Sequence, residues 1–440
     1  MHNPPFDLAN ALNRGCACQT LQPALLRAQL ERDPRLQGLH QSLAQSHPHL
    51  FSSTVVFLSQ AVFTAMEATV AAIERVMALP RWQQPLQDTF AGLAPGAQAP
   101  LGAFMGYDFH ISANSPQLIE INTNAGGAFL NAALARAQAA CCEAMDQALP
   151  PYRDMAALEN TFFAMFQSEW QRQRGQAPLR RVAIVDDDPL QQYLAPEFAL
   201  ARALFEAHGV HASIADARTL RFEAGQLWGP DGAIDLVYNR VTDFDLSDPA
   251  HAALAQAWRS GAVVLTPHPW THAQHADKQH LQTLADADAL RALGAQESDI
   301  ALITAHVPPC ERVTSTNAQR LWEARRTLFF KPRCGFGSRA VYRGDKLTQR
   351  VWKDILAGDY LAQALVAPGL RSVSHQQTLA DLKFDVRAYA YAGKVQLLSA
   401  RMYSGQTTNF RTEGGGFAPV LVVTPGTAQR YQAALLANAA

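Results

Sequence analysis

Apolar residues recur at helical spacing over residues 21–30 and again over 54–79, where Pro80 closes the run; both predict helices. After a Gly/Ala/Pro loop at 92–100 the period drops to two, predicting strands over 104–111 and 117–122. Residues 128–148 are Ala-rich and read as one long helix. From Arg180 strand and helix alternate: strands at 182–185, 210–214, 234–239 and 262–266, helices at 198–208 and 250–259, and a hairpin at 222–228. That alternation predicts a parallel, doubly wound layer over 180–270. A helix at 277–284 leads into a second α/β unit with strands at 327–331, 339–342 and 360–366, and 383–423 reads as strand and Gly-rich turn.

Composition narrows the class. Apolar residues make up 48% of the 440 and charged residues 17%, which supplies real cores and excludes disorder. A length of 440 fits about three domains or one multi-lobed enzyme. Lys plus Arg (37) nearly balance Asp plus Glu (38), so no bulk electrostatic attraction to nucleic acid or to an anionic membrane is expected. The longest apolar stretch is interrupted by Ser59, Gln60 and Thr64, short of the ~18 residues of a membrane span. The opening residues lack the apolar run of a signal peptide, and a cytoplasmic location with reduced thiols is expected. Neither Cys16 and Cys18 nor the run His268, His272, His275, His280 has a zinc spacing; a plain turn and a polar loop entering a helix are expected instead. No Gly-x-Gly-x-x-Gly follows the strand at 182–185, which argues against a nicotinamide site.

The chemistry gathers in four segments. In the first, alternation places Leu118, Glu120 and Asn122 on one strand face, with Ile119 and Ile121 on the other. Pairing Ile111 with Gln117 sets Asp108 opposite Glu120, so two carboxylates and an amide oxygen converge. Asp108, Glu120 and Asn122 are a hard-oxygen set suited to Mg²⁺; equally, Glu120 and Asn122 could be the solvated face of an edge strand. In the second, Lys331 closes an apolar strand before a turn with Gly335 and Gly337, an arrangement that reaches nucleotide phosphates. In the third, the strand holding Gln363, Ala364 and Leu365 offers backbone groups to an adenine edge, or is plain core. In the fourth, Asp385 and Arg387 share a strand face, and Gly414 to Gly416 imply backbone packed close to something.

Together these segments resemble the ATP-site motifs of the ATP-grasp ligases: Lys331 and its turn, Gln363-Ala364-Leu365, Asp385-x-Arg387, Asn409 and the glycine run, with Asp108, Glu120 and Asn122 as the metal-binding end. The metal segment precedes the lysine, an order similar to the circularly permuted branch of the eukaryotic glutathione synthetases, as are Tyr238-Asn239-Arg240 and Lys278. The chain departs from that pattern at Lys331-Pro332-Arg333-Cys334-Gly335, which lacks the metal-binding glutamate of the glutathione synthetases. The resemblance implies an ATP-grasp fold of two α+β lobes sandwiching ATP, with a Rossmann-like substrate domain and N-terminal helices. The implied division is a helical region at 1–100, the metal-binding part of one lobe at 101–150, the substrate domain at 180–270, a lid lobe at 275–370 and the remainder of the first lobe at 380–440.

The same resemblance implies a ligase that activates a carboxylate with ATP and passes the acyl-phosphate to an amine, using two Mg²⁺ ions. It places Lys278, Lys331, Gly335, Gly337, Gln363, Ala364, Leu365 and Asp385 at the nucleotide, and Arg387, Arg411 and Asn409 at the transferring phosphoryl group. Arg240, Gly415 and Gly416 would bind the acid, Arg240 from the carboxyl end of a strand in the doubly wound layer. Small-molecule acid and amine are the implied partners, with neither nucleic acid nor membrane, and a homodimer stays open. A small-molecule kinase and a non-catalytic ATP-binding module on the same fold are the alternatives.

Overall fold

The computed structural model describes residues 7–90, 99–140, 155–333, 340–375 and 378–438. Its centre is a seven-stranded sheet formed by both ends of the chain. The strands β1 (Val56–Ser59), β2 (Met105–Ser112) and β3 (Ser115–Asn122) join β15 (Gly369–His375), β16 (Thr378–Tyr391), β17 (Lys394–Tyr403) and β18 (Gly416–Val423). The order is β1-β18-β17-β16-β2-β3. β15 pairs with the first half of the long strand β16, and β2 pairs with its second half. The helix Gln60–Met77 lies beneath, its Val62, Met66, Val70, Ile73 and Met77 at helical spacing against Tyr107, Phe109, Leu118, Ile121 and Val386.

The doubly wound layer forms as expected, with strand order β10 (Val264–Thr266), β9 (Leu236–Asn239), β4 (Arg181–Asp186), β5 (His211–Asp216), all parallel. The first connection runs from β4 to β5 and the next crosses back to β9, so the topological switch lies between β4 and β9. A separate antiparallel sheet, β6 (Arg221–Glu223), β7 (Gln226–Gly229) and β8 (Gly232–Ala233), carries the expected hairpin. The segment expected as the lid holds a four-stranded sheet, the lid sheet, of order β11 (Cys310–Arg312), β14 (Tyr360–Ala364), β12 (Leu328–Pro332), β13 (Tyr342–Arg343), packed on the helix Gln349–Ala357.

Four expectations change. The run at 54–79 opens with β1, and its helix begins only at Gln60, capped by the Ser59 side chain. Residues 1–100 are no separate helical unit: β1 lies parallel to β18, and the helix Leu8–Gly15 packs on β1 and β15. The histidine run is no polar loop, because His268, His272 and His275 are buried in and beside the helix Pro269–His275. The Ala-rich helix is described as Ala128–Arg136, and 141–154, with Cys141 and Cys142, lie outside the described residues. The helix Met155–Arg174 was not anticipated; its Phe162, Phe166 and Trp170 complete an aromatic core with Phe104 and Tyr238. Among the described residues no helix is long and apolar enough to cross a membrane.

Candidate active site

The β2–β3 hairpin closes through Ala113 and Asn114, both at positive φ (46° and 62°), with Ser112 opposite Ser115. Ile111 therefore pairs with Pro116, not Gln117, and regular counting would bring Ile119 opposite Asp108. A β-bulge at Ile119 restores Glu120 to that place. The bulge also redistributes the faces: Leu118 and Ile121 both enter the core, while Ile119 and Glu120 line a cleft. The carbonyl of Ile119 accepts a hydrogen bond from Lys331 Nζ at 2.8 Å.

Next to β2, β16 sets Arg387 opposite Asp108, and β17 sets Arg401 opposite Asp385. Directly opposed side chains share a face, and the four charges interlock. Arg387 grips Asp108 with two bonds of 2.6 and 2.7 Å, and Arg401 bonds Asp108 at 2.8 Å and Asp385 at 2.6 Å. Asn122 Nδ2 donates to Asp108 Oδ2 at 3.0 Å. Burial alone would raise the Asp108 pKa, but the two guanidiniums outweigh it and hold the carboxyl far below its ordinary value. Asp108 is thus the buried anchor of two arginines, and its oxygens are taken; this departs from the metal role expected of it. Asp385, likewise buried, accepts from Arg401 and Thr408, which line the cleft.

The cleft opens between this sheet and the lid, with about 840 Å³ of space counted to its open mouth. Lys278, Lys331, Glu120 and Arg401 line it, with Gln363, Ala364 and Leu365, which form the hinge where the chain leaves the lid sheet for β15 of the central sheet. Lys278 Nζ stands 3.3 Å from Glu120 Oε1. Lys331 Nζ also bonds Gln363 Oε1 at 2.9 Å, while Gln363 Nε2 is buried with no protein partner among the described residues. Burial lowers the Lys331 pKa, with Glu120 opposing. Two ammonium groups therefore line one cleft, a chemistry suited to anionic oxygens. Gly335 and Gly337 lie outside the described residues.

At the switch point of the parallel layer, Arg240 leaves the end of β9, its backbone N–H bonded to Val185 of β4. Its guanidinium is buried, bonds Asn124 Oδ1, and its Nε has no partner among the described residues. Asn124 returns Nδ2 to the Arg240 and Val241 carbonyls at 2.9 and 3.3 Å, joining the end of β3 to the parallel layer. Asp186, ending β4, has a pKa pushed up to about 6 by burial, against the opposing pull of Arg240. His251 ties the adjoining loops, bonding Asp243 at 2.8 Å and Asp187 at 2.9 Å.

Three further expectations meet a different geometry. Asn409 bonds the carbonyls of Ser404 and Thr407 and accepts from Arg411 N and Thr412, so its amide organises its own loop instead of facing a phosphoryl group. Arg411 is exposed on that loop. Gly415 and Gly416 are buried, and a Cβ there would lie 2.5 Å from the Met402 carbonyl and 2.4 Å from that of His49. Those glycines permit backbone packing and leave no face for an acid. Conversely, Arg401, Asn124, Asp186 and His110 carried no predicted role. Arg401 could have been found by pairing β16 with β17, but only with knowledge of a second bulge in that hairpin.

No protein-family model and no curated protein matches the chain. Among solved structures, a glutathione synthetase-like effector from Globodera pallida, in its apo form, superposes with a TM-score of 0.56 over 90% of this chain and 99% of that one, at 12% identity. The chain has an ATP-grasp-related, glutathione-synthetase-like fold. A γ-glutamylcysteine synthetase-like protein from Methylobacillus flagellatus follows at 0.45 and 11% identity, covering 86% of this chain and 94% of its own. The ATP-grasp ligase PsnB, in complex with a minimal precursor, Mg and ADP, scores 0.29 at 13% identity, covering 54% of this chain and 87% of its own.

Proposed function

We propose that the protein is an ATP-dependent ligase that joins a small carboxylic acid to an amine through an acyl-phosphate. The observation that carries this reading is the cleft itself. Lys331 and Lys278 line it as ammonium donors suited to phosphate oxygens, and Gln363 Oε1 holds the Lys331 ammonium in place. In this reading the base sits against Gln363, Ala364 and Leu365, with the triphosphate running past Lys331 toward Arg401 and Arg387.

A Mg²⁺ ion carried on the phosphates would be held by Glu120 and Asn122, and would offset the charge that develops on transfer. The donor set fits that mode: with Asp108 occupied by arginines, one half-buried carboxylate and one amide remain, and among the described residues no group of three or more acidic, His or Cys side chains is placed to hold a metal ion by itself. Arg240, at the switch point, would grip the acid's carboxylate or a neighbouring anionic group, and Asp186 beside it suits an ammonium. Such a pair favours an amino-acid-like acid. An acid oxygen attacks the γ-phosphorus and ADP leaves; the amine nitrogen then attacks the acyl carbon, phosphate leaves and the amine proton passes to solvent. Arg387 and Arg401 face that transfer with orientation fixed by Asp108 and Asp385, so little reorganisation accompanies charge migration.

The test measures free phosphate and ADP from ATP with pooled carboxylic acids, with and without pooled amines. Phosphate release that needs both pools is expected. ADP without free phosphate would turn the reading to a kinase, and no turnover in any pool would turn it to a binding module. Lys331→Ala is expected to lower turnover at least a hundredfold while retaining the folded circular-dichroism spectrum.

A further inference from the structure

His110 lies on β2 beyond Asp108 and on the same face, so its half-buried ring looks into the cleft. Its Nδ1 is 2.9 Å from the carbonyl oxygen of Val366. Val366 is where the chain leaves β14, directly after Gln363, Ala364 and Leu365, and it lines the same cleft. The bond therefore ties the floor sheet to the hinge of the lid on one wall, as Lys331 and the Ile119 carbonyl do on the other.

Two points of chemistry sharpen this contact. A carbonyl only accepts, so Nδ1 must carry the proton, which fixes the tautomer of the neutral ring. The hinge N–H groups before Val366 are already committed within the lid: Ala364 donates to Pro309 at 2.8 Å and Leu365 to Thr327 at 2.8 Å. The peptide at Val366 is thus the first beyond that internal ladder, and the imidazole holds its carbonyl.

We propose that His110 is a positioning residue for the nucleotide base, its Nδ1–H fixing the Val366 peptide against which the adenine edge is seated. The proposal rests on the reading of this cleft as an ATP site. No other residue among those lining the cleft combines a floor-sheet origin with a bond to the hinge backbone among the hydrogen bonds described.

The test is calorimetric titration of the full chain with ATP and Mg²⁺, for the native protein and for His110→Asn, His110→Gln and His110→Phe. An asparagine amide nitrogen falls near the place of Nδ1, whereas that of glutamine falls near Nε2. Expected is near-native affinity for His110→Asn, and about tenfold weaker binding for His110→Gln and His110→Phe, the size of one lost hydrogen bond. Circular-dichroism spectra without nucleotide should match, since the ring lines a cleft rather than a core. Equal affinity in all four proteins overturns the proposal and leaves the ATP-site reading intact. A tight His110→Gln with a weak His110→Asn overturns it as well, because the working atom would be Nε2. Absence of ATP binding by the native protein overturns the underlying reading and the proposal with it.

Discussion

Three carboxylates in and around the site have opposite circumstances, and their substitution should separate stability from chemistry. Asp108 is fully buried between Arg387 and Arg401. Asp108→Asn would leave Arg387 buried without its counter-charge, a loss of about 3–5 kcal/mol that urea unfolding would register. Glu120 is half-buried at the cleft with Lys278 nearby, so Glu120→Gln should change unfolding by less than about 1 kcal/mol while abolishing ATP turnover. A retained turnover would take Glu120 out of the metal role. Asp186 differs again. Its folded pKa, near 6, lies above the ordinary 3.8, because burial disfavours the charge. The folded state therefore binds the proton more tightly than the unfolded chain, and stability must fall as pH rises from about 4 to about 6. Asp186→Asn should flatten that part of the stability profile; a parallel decline in both proteins would show that other groups cause it.

At the scale of elements, two hairpins decide the site, and both combine a two-residue turn with a bulge. Ala113-Asn114 and Ala392-Gly393 each have two consecutive positive φ values, the geometry of type I′ turns. In the first hairpin the extra residue is Ile119; in the second, register shifts between Tyr389 and Ala390. Counting from the second turn without its bulge would put Ala400 opposite Asp385 and send Arg401 to the other face. This is why the sequence disclosed the strands, the lysine and Arg387 but not the place of Arg401 between Asp385 and Asp108. Side-chain period and turn residues are local signals, whereas a bulge is chosen by which residues the core accepts. The expected pairing of Asp108 with Glu120 did form, although through a register other than the one assumed for it, and the Asp108 carboxylate turns to the arginines. Arg411 and Asn409 misled for a related reason: a motif marks a loop, and the loop's internal hydrogen bonds decide which side chains are left to face outward. Deleting Ile119 would keep every cross-strand pair from Gly106 to Ser112 and remove only the extra residue. The variant should fold, with a stability loss under about 2 kcal/mol, and should bind ATP more weakly because Lys331 loses its carbonyl support. Unaltered affinity would mean that the bulge serves geometry alone.

For the whole molecule, the central sheet is formed from both ends of the chain, so its floor cannot close until residues beyond Gly416 meet β1. Arg371 shows how tightly those ends are joined. It is among the largest fully buried side chains, and its guanidinium donates to the carbonyls of Val55 at 2.8 Å, Asn13 at 3.2 Å, Leu12 at 3.3 Å and Cys16, and to Thr54 Oγ1 at 2.8 Å. A guanidinium drawn out of water needs these acceptors, because each unmet donor in such a place costs about 1–3 kcal/mol. The segment with Leu12, Asn13 and Cys16 is therefore a structural part of the sheet, and Asn13 locks it further by exchanging two bonds with Phe57. Removal of residues 1–17 should destabilise the protein by two separable routes, the lost packing of Leu8, Ala9 and Leu12 and the stranded charge of Arg371. Arg371→Met eliminates the second route only. In a double-mutant cycle read by urea unfolding, truncation should cost at least about 2 kcal/mol less in the Arg371→Met background than in the native one, since the charge then left without acceptors is gone. Strict additivity would mean that water replaces the lost carbonyls without penalty, and that packing alone holds the amino-terminal segment in place.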